Sequence, residues 1–464
     1  MCIRDSFNGD GFLDLFVTRH GPSTAGVNRR GIESVGNSLF LADGAWDVFR
    51  DVSHEIGIRN EQAYNRQCSF GDIDGDGWLD IAIGCDNIKN AYGGVPHSRL
   101  YVFRPRGRNF IDGHFADIGG TDLVPDFGGF YHDSERDKAG PDIDLRDLDN
   151  DGDLDLVQSY HVDVREPLLD YSPGEYRQGI MCWKNLLRET GELRFEKVTG
   201  NGLHCEARLR YDRTKQVYEP ASDALAPGLP YVALADFNHD GLMDIFAVGP
   251  NSPYWAPRIE DVSGRFWKNL GGFRFQEMTE AVGLDAIDNT LRQWHAFFEA
   301  PTPQRFVNWR SPGPYPSQPG LTPSHPLDRH PYYADAIFAD FNNDGWLDVV
   351  VLDRSERPES RAILWMGQPD DAFECQPTTF SGLDAGGISG EAADLNNDGL
   401  LDLVFAADPD NSGVATDPRR YESRVYWNTG EHNARQNHWL RLCFTGVTDA
   451  ELIGARVEVS TAGE

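Results

Sequence analysis

The chain has 464 residues, and its 74 Asp and Glu against 42 Lys and Arg give a formal net charge of −32 at pH 7. This negative excess argues against nucleic acid and anionic membrane surfaces as partners. No run of 18 apolar residues occurs, so the sequence predicts no membrane span. The length is ample for a large core, and a repeat array of this size can form one unit.

The first six residues, MCIRDS, differ from everything that follows. They resemble a translated adapter scar from sequence assembly, and we exclude residues 1–6 from the fold prediction. The chain then begins inside a repeat. We therefore expect the native N-terminus, with any export signal, to lie outside this sequence.

A nine-residue acidic pattern occurs six times along the chain. Every copy has Asp at position 5, Gly at position 6 and Asp at position 9, and five copies also have Asp at position 1. The copies begin at residues 6, 72, 147, 236, 340 and 394 and read SFNGDGFLD, DIDGDGWLD, DLDNDGDLD, DFNHDGLMD, DFNNDGWLD and DLNNDGLLD. Six copies in one chain indicate a repeat protein.

Each acidic nonamer is followed by an apolar, β-prone segment such as VVVL, and later by a short aromatic segment such as FWKNL. Several units add a third segment that begins with Phe, such as FEKV. One unit is thus predicted as strand, acidic loop and three further strands. The starts lie 54 to 104 residues apart, which is too variable for a tight solenoid. The predicted fold class is all-β, a β-propeller of four-stranded antiparallel blades with insertions of different lengths.

Oxygen-rich side chains at positions 1, 3, 5 and 9 of a tight loop match the ligands of Ca²⁺, which takes six to eight oxygens. Gly at position 6 permits the positive φ that such a loop needs. An EF-hand is excluded because position 12 is never acidic and strands follow. Mg²⁺ fits less well because it needs a stricter octahedron. The alternative is a set of Asp-Gly turns without metal.

We predict five to six Ca²⁺ ions. Their ligands are Asn8, Asp10 and Asp14; Asp72, Asp74, Asp76 and Asp80; Asp147, Asp149, Asp151 and Asp155; Asp236, Asn238, Asp240 and Asp244; Asp340, Asn342, Asp344 and Asp348; and Asp394, Asn396, Asp398 and Asp402. The first loop has Ser6 in place of a carboxylate and is expected to bind most weakly.

These loops resemble the calcium loops of FG-GAP or VCBS repeats, the units of integrin-α-type β-propellers, and the resemblance covers residues 7–429. Propellers of this type usually have seven blades, so the resemblance implies that the intact protein has one blade more than the six loops show.

The tail after the repeats carries a second resemblance. Asn437, His438, Trp439 and Leu440, followed by the stretch 453–457, are similar to the start of an ASPIC/UnbV domain. In cartilage-acidic-protein-like proteins such a domain follows FG-GAP repeats. The resemblance therefore implies that residues 430–464 are the beginning of a truncated ASPIC/UnbV domain.

Seven cysteines are present without a C-x-x-C pair, which argues against zinc and thioredoxin-type chemistry. Cys68 and Cys85 flank one acidic loop, and Cys182 and Cys205 bracket a hairpin-like segment. Either pair fits a disulfide in an oxidising compartment, and buried free thiols are the alternative.

The chain contains no catalytic motif of the nucleophile-elbow, zincin or P-loop type, so the sequence does not predict an enzyme. It favours a secreted, periplasmic or cell-surface propeller, monomeric, that acts as a binding or adhesion module for an extracellular protein or glycan. The alternative is a polysaccharide hydrolase or lyase that uses loop residues such as Asp133, Glu135, His161 or Trp309. Perturbed carboxylates in a pocket away from the calcium loops would favour the enzyme, whereas a wide face with exposed aromatic residues would favour binding.

Overall fold

The computed structural model describes residues 2–3, 7–10, 14–18, 36–42, 49–58, 64–86, 98–107, 109–124, 127, 142–160, 175–203, 207–212, 217–220, 231–249, 264–284, 333–353, 362–376, 381–383, 387, 389–396, 398–406 and 423–430.

The described residues form six antiparallel sheets, which we call blades 1 to 6 in chain order. Blade 1 contains β1 (Cys2–Ile3), β2 (Leu15–Val17), β3 (Ser38–Ala42) and β4 (Phe49–Asp51), and blade 2 contains β5 (Tyr64–Gly71), β6 (Asp80–Asp86), β7 (Arg99–Arg104) and β8 (His114–Asp117). Blade 3 contains β9 (Ile143–Arg146), β10 (Asp155–Tyr160), β11 (Glu175–Asn185) and β12 (Phe195–Val198). Its sheet is extended by the hairpin β13 (Ala207–Asp212) and β14 (Val217–Pro220), which pairs with the first part of β11.

The later blades follow the same order of strands. Blade 4 contains β15 (Tyr231–Ala235), β16 (Asp244–Val248), β17 (Gly264–Asn269) and β18 (Phe275–Glu277), and blade 5 contains β19 (Tyr333–Ala339), β20 (Asp348–Asp353), β21 (Ile363–Gln368) and β22 (Ala372–Cys375). Blade 6 has three strands among its described residues, β23 (Ser389–Ala393), β24 (Asp402–Ala406) and β25 (Arg424–Tyr426). The described helices are a 3-10 turn at Phe110–Asp112 and α1 (Leu187–Thr190).

The predicted fold class, an all-β β-propeller of antiparallel blades, is confirmed. The chain divides into two compact units. The first holds the described residues of 1–158 and 181–200, and the second holds those of 159–180 and 201–441. No helix within the described residues has the length and apolar character needed to cross a membrane.

The strand after each acidic loop is the second of its blade, and in blades 2 to 5 its described residues are buried on both faces. Every residue of β16 and β20 is buried, which agrees with the weak alternation of apolar residues in these segments. The third strand of blades 3, 4 and 5 carries a fully buried tryptophan at the equivalent place, namely Trp183, Trp267 and Trp365. In the second unit, Trp365 belongs to an apolar cluster formed by residues of blades 4 and 5. The aromatic segments seen in the sequence therefore supply core side chains.

The residues that we excluded from the fold prediction contribute to the first blade. Cys2 pairs with Phe16 and Ile3 pairs with Leu15, so this short segment is the first strand, β1. Its proposed origin as an assembly scar stays a prediction. Residues 431–464, which include most of the predicted start of an ASPIC/UnbV domain, lie outside the described part of the chain.

The cysteines near the acidic loop of blade 2 are not joined by a disulfide. Cys85 lies opposite Asn65 and Cys68 lies opposite Ile83, so the two side chains are not paired across the hairpin. Cys182 is a buried thiol, and its suggested partner Cys205 lies outside the described residues. Cys68, which is half-buried, and Cys85, which is buried, are therefore thiols and not members of a disulfide.

A carboxylate links the first strands of blades 5 and 6 in the second unit. The Asp335 Oδ2 atom accepts a hydrogen bond from the Gly390 N–H (2.9 Å), and its Oδ1 atom accepts one from the Ala336 N–H (2.9 Å). Burial raises the pKa of Asp335 to about 7, although these hydrogen bonds lower it. The pKa of Asp335 is near 3.8 in the unfolded state and higher in the folded state. At a pH between these two pKa values, Asp335 is protonated in the folded state and ionised in the unfolded state.

The free energy of unfolding contributed by Asp335 is therefore expected to be highest below pH 4 and to fall by a few kcal/mol as the pH rises to 7. Asp335→Asn removes this titration, so the difference between wild type and variant should change in that pH window. Urea unfolding of both proteins at several pH values, with saturating calcium, measures this difference in the free energy of unfolding. Asp371→Asn in the exposed turn after β21 is the control, and an Asp335→Asn difference independent of pH would contradict the assignment.

Candidate metal-binding loops

All six acidic loops occupy the same place in their blades. In blades 2 to 6 the nonamer connects the first strand to the second, as the sequence predicted, and in blade 1 it lies between β1 and β2. The glycine at position 6 has a φ between 85° and 92° in the five loops where it is described, so the predicted need for a positive φ is confirmed. Position 4 also has a positive φ, which is 61° at Asn150, 58° at His239 and 55° at Asn343.

The aspartate at position 1 holds the turn together. In five loops its two carboxylate oxygens accept the backbone N–H groups of positions 5 and 6, at 2.8 to 3.2 Å. These aspartates are Asp72, Asp147, Asp236, Asp340 and Asp394. The aspartate at position 5 in turn accepts the N–H of position 7, at 2.9 to 3.1 Å. The backbone donors thus orient two predicted ligands toward the inside of each turn.

The aspartate at position 9 connects the loop to the third strand in all six blades. One of its oxygens accepts the N–H of position 2, and the other accepts an N–H from within or just after the third strand, at 2.6 to 3.4 Å. These residues are Asp14, Asp80, Asp155, Asp244, Asp348 and Asp402, and each is at most 1% exposed. We call this arrangement the position-9 latch.

In the loops of blades 1 to 5, burial makes the negative charge of the position-9 aspartate unfavourable. Burial raises the pKa of Asp14 to about 6, of Asp244 and Asp348 to about 7 and of Asp155 to about 9, and it raises that of Asp80 well above its ordinary value. The backbone hydrogen bonds lower these pKa values, but burial is the larger effect. A cation next to these carboxylates would offset that cost.

In the loops of blades 2, 3 and 4, position 3 presents an oxygen that has no hydrogen-bond donor among the described residues. The Oδ1 atoms of Asp74, Asp149 and Asn238 are buried and have no hydrogen-bond partner among the described residues. A buried polar atom left without a partner is unfavourable by roughly 1 to 3 kcal/mol. The oxygens at position 3 of these three loops can therefore accept a ligand that the described residues do not supply.

In two loops the predicted ligands converge. Oxygen atoms of Asp72, Asp74 and Asp80 lie within 4.8 Å of one another, and so do those of Asp147, Asp149 and Asp155. In the other four loops position 3 is asparagine, whose Nδ2 donates to the aspartate at position 5: Asn8 to Asp10, Asn238 to Asp240, Asn342 to Asp344 and Asn396 to Asp398, at 2.8 to 3.2 Å. Positions 3 and 5 are thus side by side in these loops as well.

Three loops also contact a basic side chain, which the acidic pattern alone did not predict. Arg104 pairs with Asp74 at 2.5 Å, and Lys268 lies 3.3 Å from Asp240. In blade 3 the ammonium group of Lys184 contacts Asp149, Asp151 and Glu189. The repeated W-K-N sequence at residues 183–185 and 267–269 is the signal that points to two of these cations.

Neighbouring loops in the second unit are linked by the side chain at position 4. The Nε2 atom of His239 lies 2.8 Å from the carbonyl oxygen of Gly345, and the Nδ2 atom of Asn343 donates to the carbonyl oxygen of Gly399 at 2.9 Å. In each case the acceptor is the position-6 glycine of the following blade. The loops of blades 4, 5 and 6 therefore form a connected row.

The ligand atoms that these loops offer suit a hard divalent cation. They are carboxylate and amide oxygens, with no thiol or imidazole among the predicted ligands, and this favours Ca²⁺ over zinc or another transition metal. All predicted ligand residues lie in the described part of the chain. The position-3 oxygens without a partner among the described residues and the converging carboxylates are therefore an arrangement that could hold a cation.

Comparison with known families finds a match for two segments of the chain. A family described as FG-GAP-like repeat matches residues 7–83 and 328–405, which contain the loops of blades 1, 2, 5 and 6. Both segments are therefore similar to FG-GAP-like repeats, whereas the resemblance of the tail to an ASPIC/UnbV domain has no such support. No curated protein matches the chain. A β-propeller with FG-GAP-like repeats is in general a binding module.

Proposed function

We propose that this protein is a calcium-binding β-propeller that acts outside the cytoplasm as a binding or adhesion module for a protein or glycan. The observation that carries the calcium assignment is the set of buried position-3 oxygens without a hydrogen-bond partner among the described residues, next to carboxylates at positions 1 and 9. Ca²⁺ supplies positive charge to these oxygens and tolerates the irregular oxygen sets that such loops offer.

Each residue of the loop has its own task in this proposal. The carboxylates at positions 1 and 9 are fixed by backbone donors, and they also face the position-3 oxygen in blades 2 and 3. Positions 3 and 5 supply the side chains that the backbone holds least. Binding of the ion therefore orders the outer part of the loop on a frame that the protein has already built.

The adhesion role rests on the FG-GAP-like repeats, which are typical of extracellular proteins. The enzyme alternative has no observation in its favour, and its candidate residues Asp133, Glu135, His161 and Trp309 all lie outside the described part of the chain. Binding to a glycan array, with and without a chelator, tests whether the partner is a glycan and whether the loops must be filled.

Calcium titration of single-loop variants tests the metal assignment. Asp344→Ala removes a position-5 carboxylate from a complete loop, and we expect it to abolish binding at that loop. Asp10→Ala acts on the loop whose first position is Ser6, and we expect the smallest loss of calcium affinity there because that site starts with fewer anionic ligands. Isothermal titration calorimetry measures both changes. Equal losses for the two variants would show that the ranking is wrong, and a wild-type chain without calcium binding would refute the proposed function.

A further inference from the structure

The acidic loop of blade 3 differs from the other five in its surroundings. The nonamer carries five aspartates, because position 7 is Asp153, and Glu189 of α1 adds a sixth carboxylate. Oxygen atoms of Asp149, Asp151 and Glu189 lie within 4.8 Å of one another, as three ligands of one cation would. The three carboxylates are 10%, 22% and 41% exposed, so water screens their mutual repulsion only in part.

A cation of the chain itself lies at this group. The Nζ atom of Lys184 is 2.9 Å from Asp151, 2.6 Å from Glu189 and in hydrogen-bond contact with Asp149. An ammonium group has three N–H donors, and here each carboxylate can receive one of them. Lys184 is 21% exposed, so the contact lies within the protein surface, where an ion pair is stronger than at a fully exposed site.

The short helix α1 covers the same loop. The backbone N–H of Arg188 donates to Asp153 (2.9 Å), and the Arg188 guanidinium group donates to the carbonyl oxygen of Gly152 (3.0 and 3.3 Å). In blades 5 and 6 that carbonyl of position 6 accepts a side chain from the preceding loop instead. The loop of blade 3 is therefore held by two basic residues of its own blade.

The place of Lys184 in the strand can be compared between blades. Lys184 precedes Asn185, whose N–H donates to the position-9 aspartate. In blade 5 the equivalent donor is Gly367, and the residue that precedes it is Met366. Met366 is buried in an apolar cluster and brings no charge to its loop. Blade 4 has Lys268 at this place, but its ion pair to Asp240 is longer, at 3.3 Å.

We propose that Lys184 is a built-in counter-ion that holds the loop of residues 147–155 closed without calcium, so that Ca²⁺ must compete there with a protein cation. The inference rests on the proposed calcium function for the other loops. The loop of blade 3 then stays closed when calcium is absent, whereas the remaining loops depend on the metal.

The test compares Lys184→Met, which reproduces the residue of blade 5, with Lys268→Met in the full-length chain. In EGTA, Lys184→Met is expected to melt several degrees below wild type, while Lys268→Met stays close to it. Calorimetric titration is expected to show that the loop of residues 147–155 binds calcium roughly tenfold or more tightly in Lys184→Met than in wild type. Asp149→Asn should remove that tight site from Lys184→Met.

Two results would overturn the inference: equal melting temperatures of wild type and Lys184→Met in EGTA, or equal calcium affinities of the loop of residues 147–155 in wild type and Lys184→Met. Lys184→Arg keeps the charge and should melt like wild type in EGTA; if it is as unstable as Lys184→Met, charge is not the cause. A wild type that binds no calcium at any loop refutes the proposed function instead, and the EGTA comparison of the two lysine variants still decides the role of Lys184.

Discussion

Removal of calcium with EGTA is expected to lower the melting temperature of this protein by roughly 2 to 6 °C. An ion that binds the folded loop but not the unfolded chain stabilises the fold by RT ln(1 + [L]/Kd). With the Kd of about 0.1 to 1 mM typical of extracellular sites, each loop contributes about 0.4 to 1.4 kcal/mol at 1 mM calcium. The loops of blades 2, 4, 5 and 6 together contribute roughly 2 to 6 kcal/mol, a large part of the stability of a typical domain.

Net charge acts in the same direction as site occupancy. The formal charge of −32 becomes less negative by two for each bound ion, so filling the loops reduces the repulsion within the fold. The effect of EGTA should therefore be larger at low ionic strength. Added Ca²⁺ should restore the melting temperature, whereas Mg²⁺ should restore much less of it. A calcium-loaded sample whose melting temperature does not respond to EGTA would contradict a structural role for the metal.

The features that follow from local sequence were predictable. A nonamer with Gly at position 6 specifies a tight turn between two strands, and six copies specify six such hairpins, as the structure has them. The buried second strand of blades 2 to 5 also follows from its apolar run, such as Val349, Val350 and Val351. The fold class therefore depends on patterns that lie within about ten residues of one another.

The features that depend on the third strand were not predictable from the same patterns. The second donor to each position-9 aspartate lies 19 to 30 residues away from it, across a connection of variable length. Lys184 lies 33 and 35 residues from its partners Asp151 and Asp149. Only strand pairing brings these groups together, and the nonamer alone does not encode which residue of the third strand faces the loop.

Because of this arrangement, the predicted ligands at positions 5 and 9 differ in how far water can replace them as hydrogen-bond acceptors. Asp344 at position 5 lies at the outer part of its loop, and the N–H that it accepts, from Trp346, is exposed. Asp348 at position 9 is fully buried, and both N–H groups that it accepts, from Phe341 and Gly367, are buried as well. Water can replace the acceptor for Trp346, but it has no access to the two donors that Asp348 satisfies.

Asp348→Ala is therefore expected to lower the free energy of unfolding by about 2 to 6 kcal/mol, in EGTA as well as in calcium, because two buried donors lose their acceptor. Asp344→Ala, the matched control in the same loop, should lower it in calcium only, by the roughly 1 kcal/mol that one bound ion contributes. Urea unfolding of both variants with and without calcium separates the two effects. If Asp348→Ala is destabilising only when calcium is present, position 9 is a metal ligand and not a latch. If Asp348→Ala unfolds the chain even in calcium, the same test is made in blade 6 with Asp402→Ala and its matched control Asp398→Ala. In that loop one of the two hydrogen bonds to the position-9 aspartate is longer, at 3.1 Å from the Leu395 N–H.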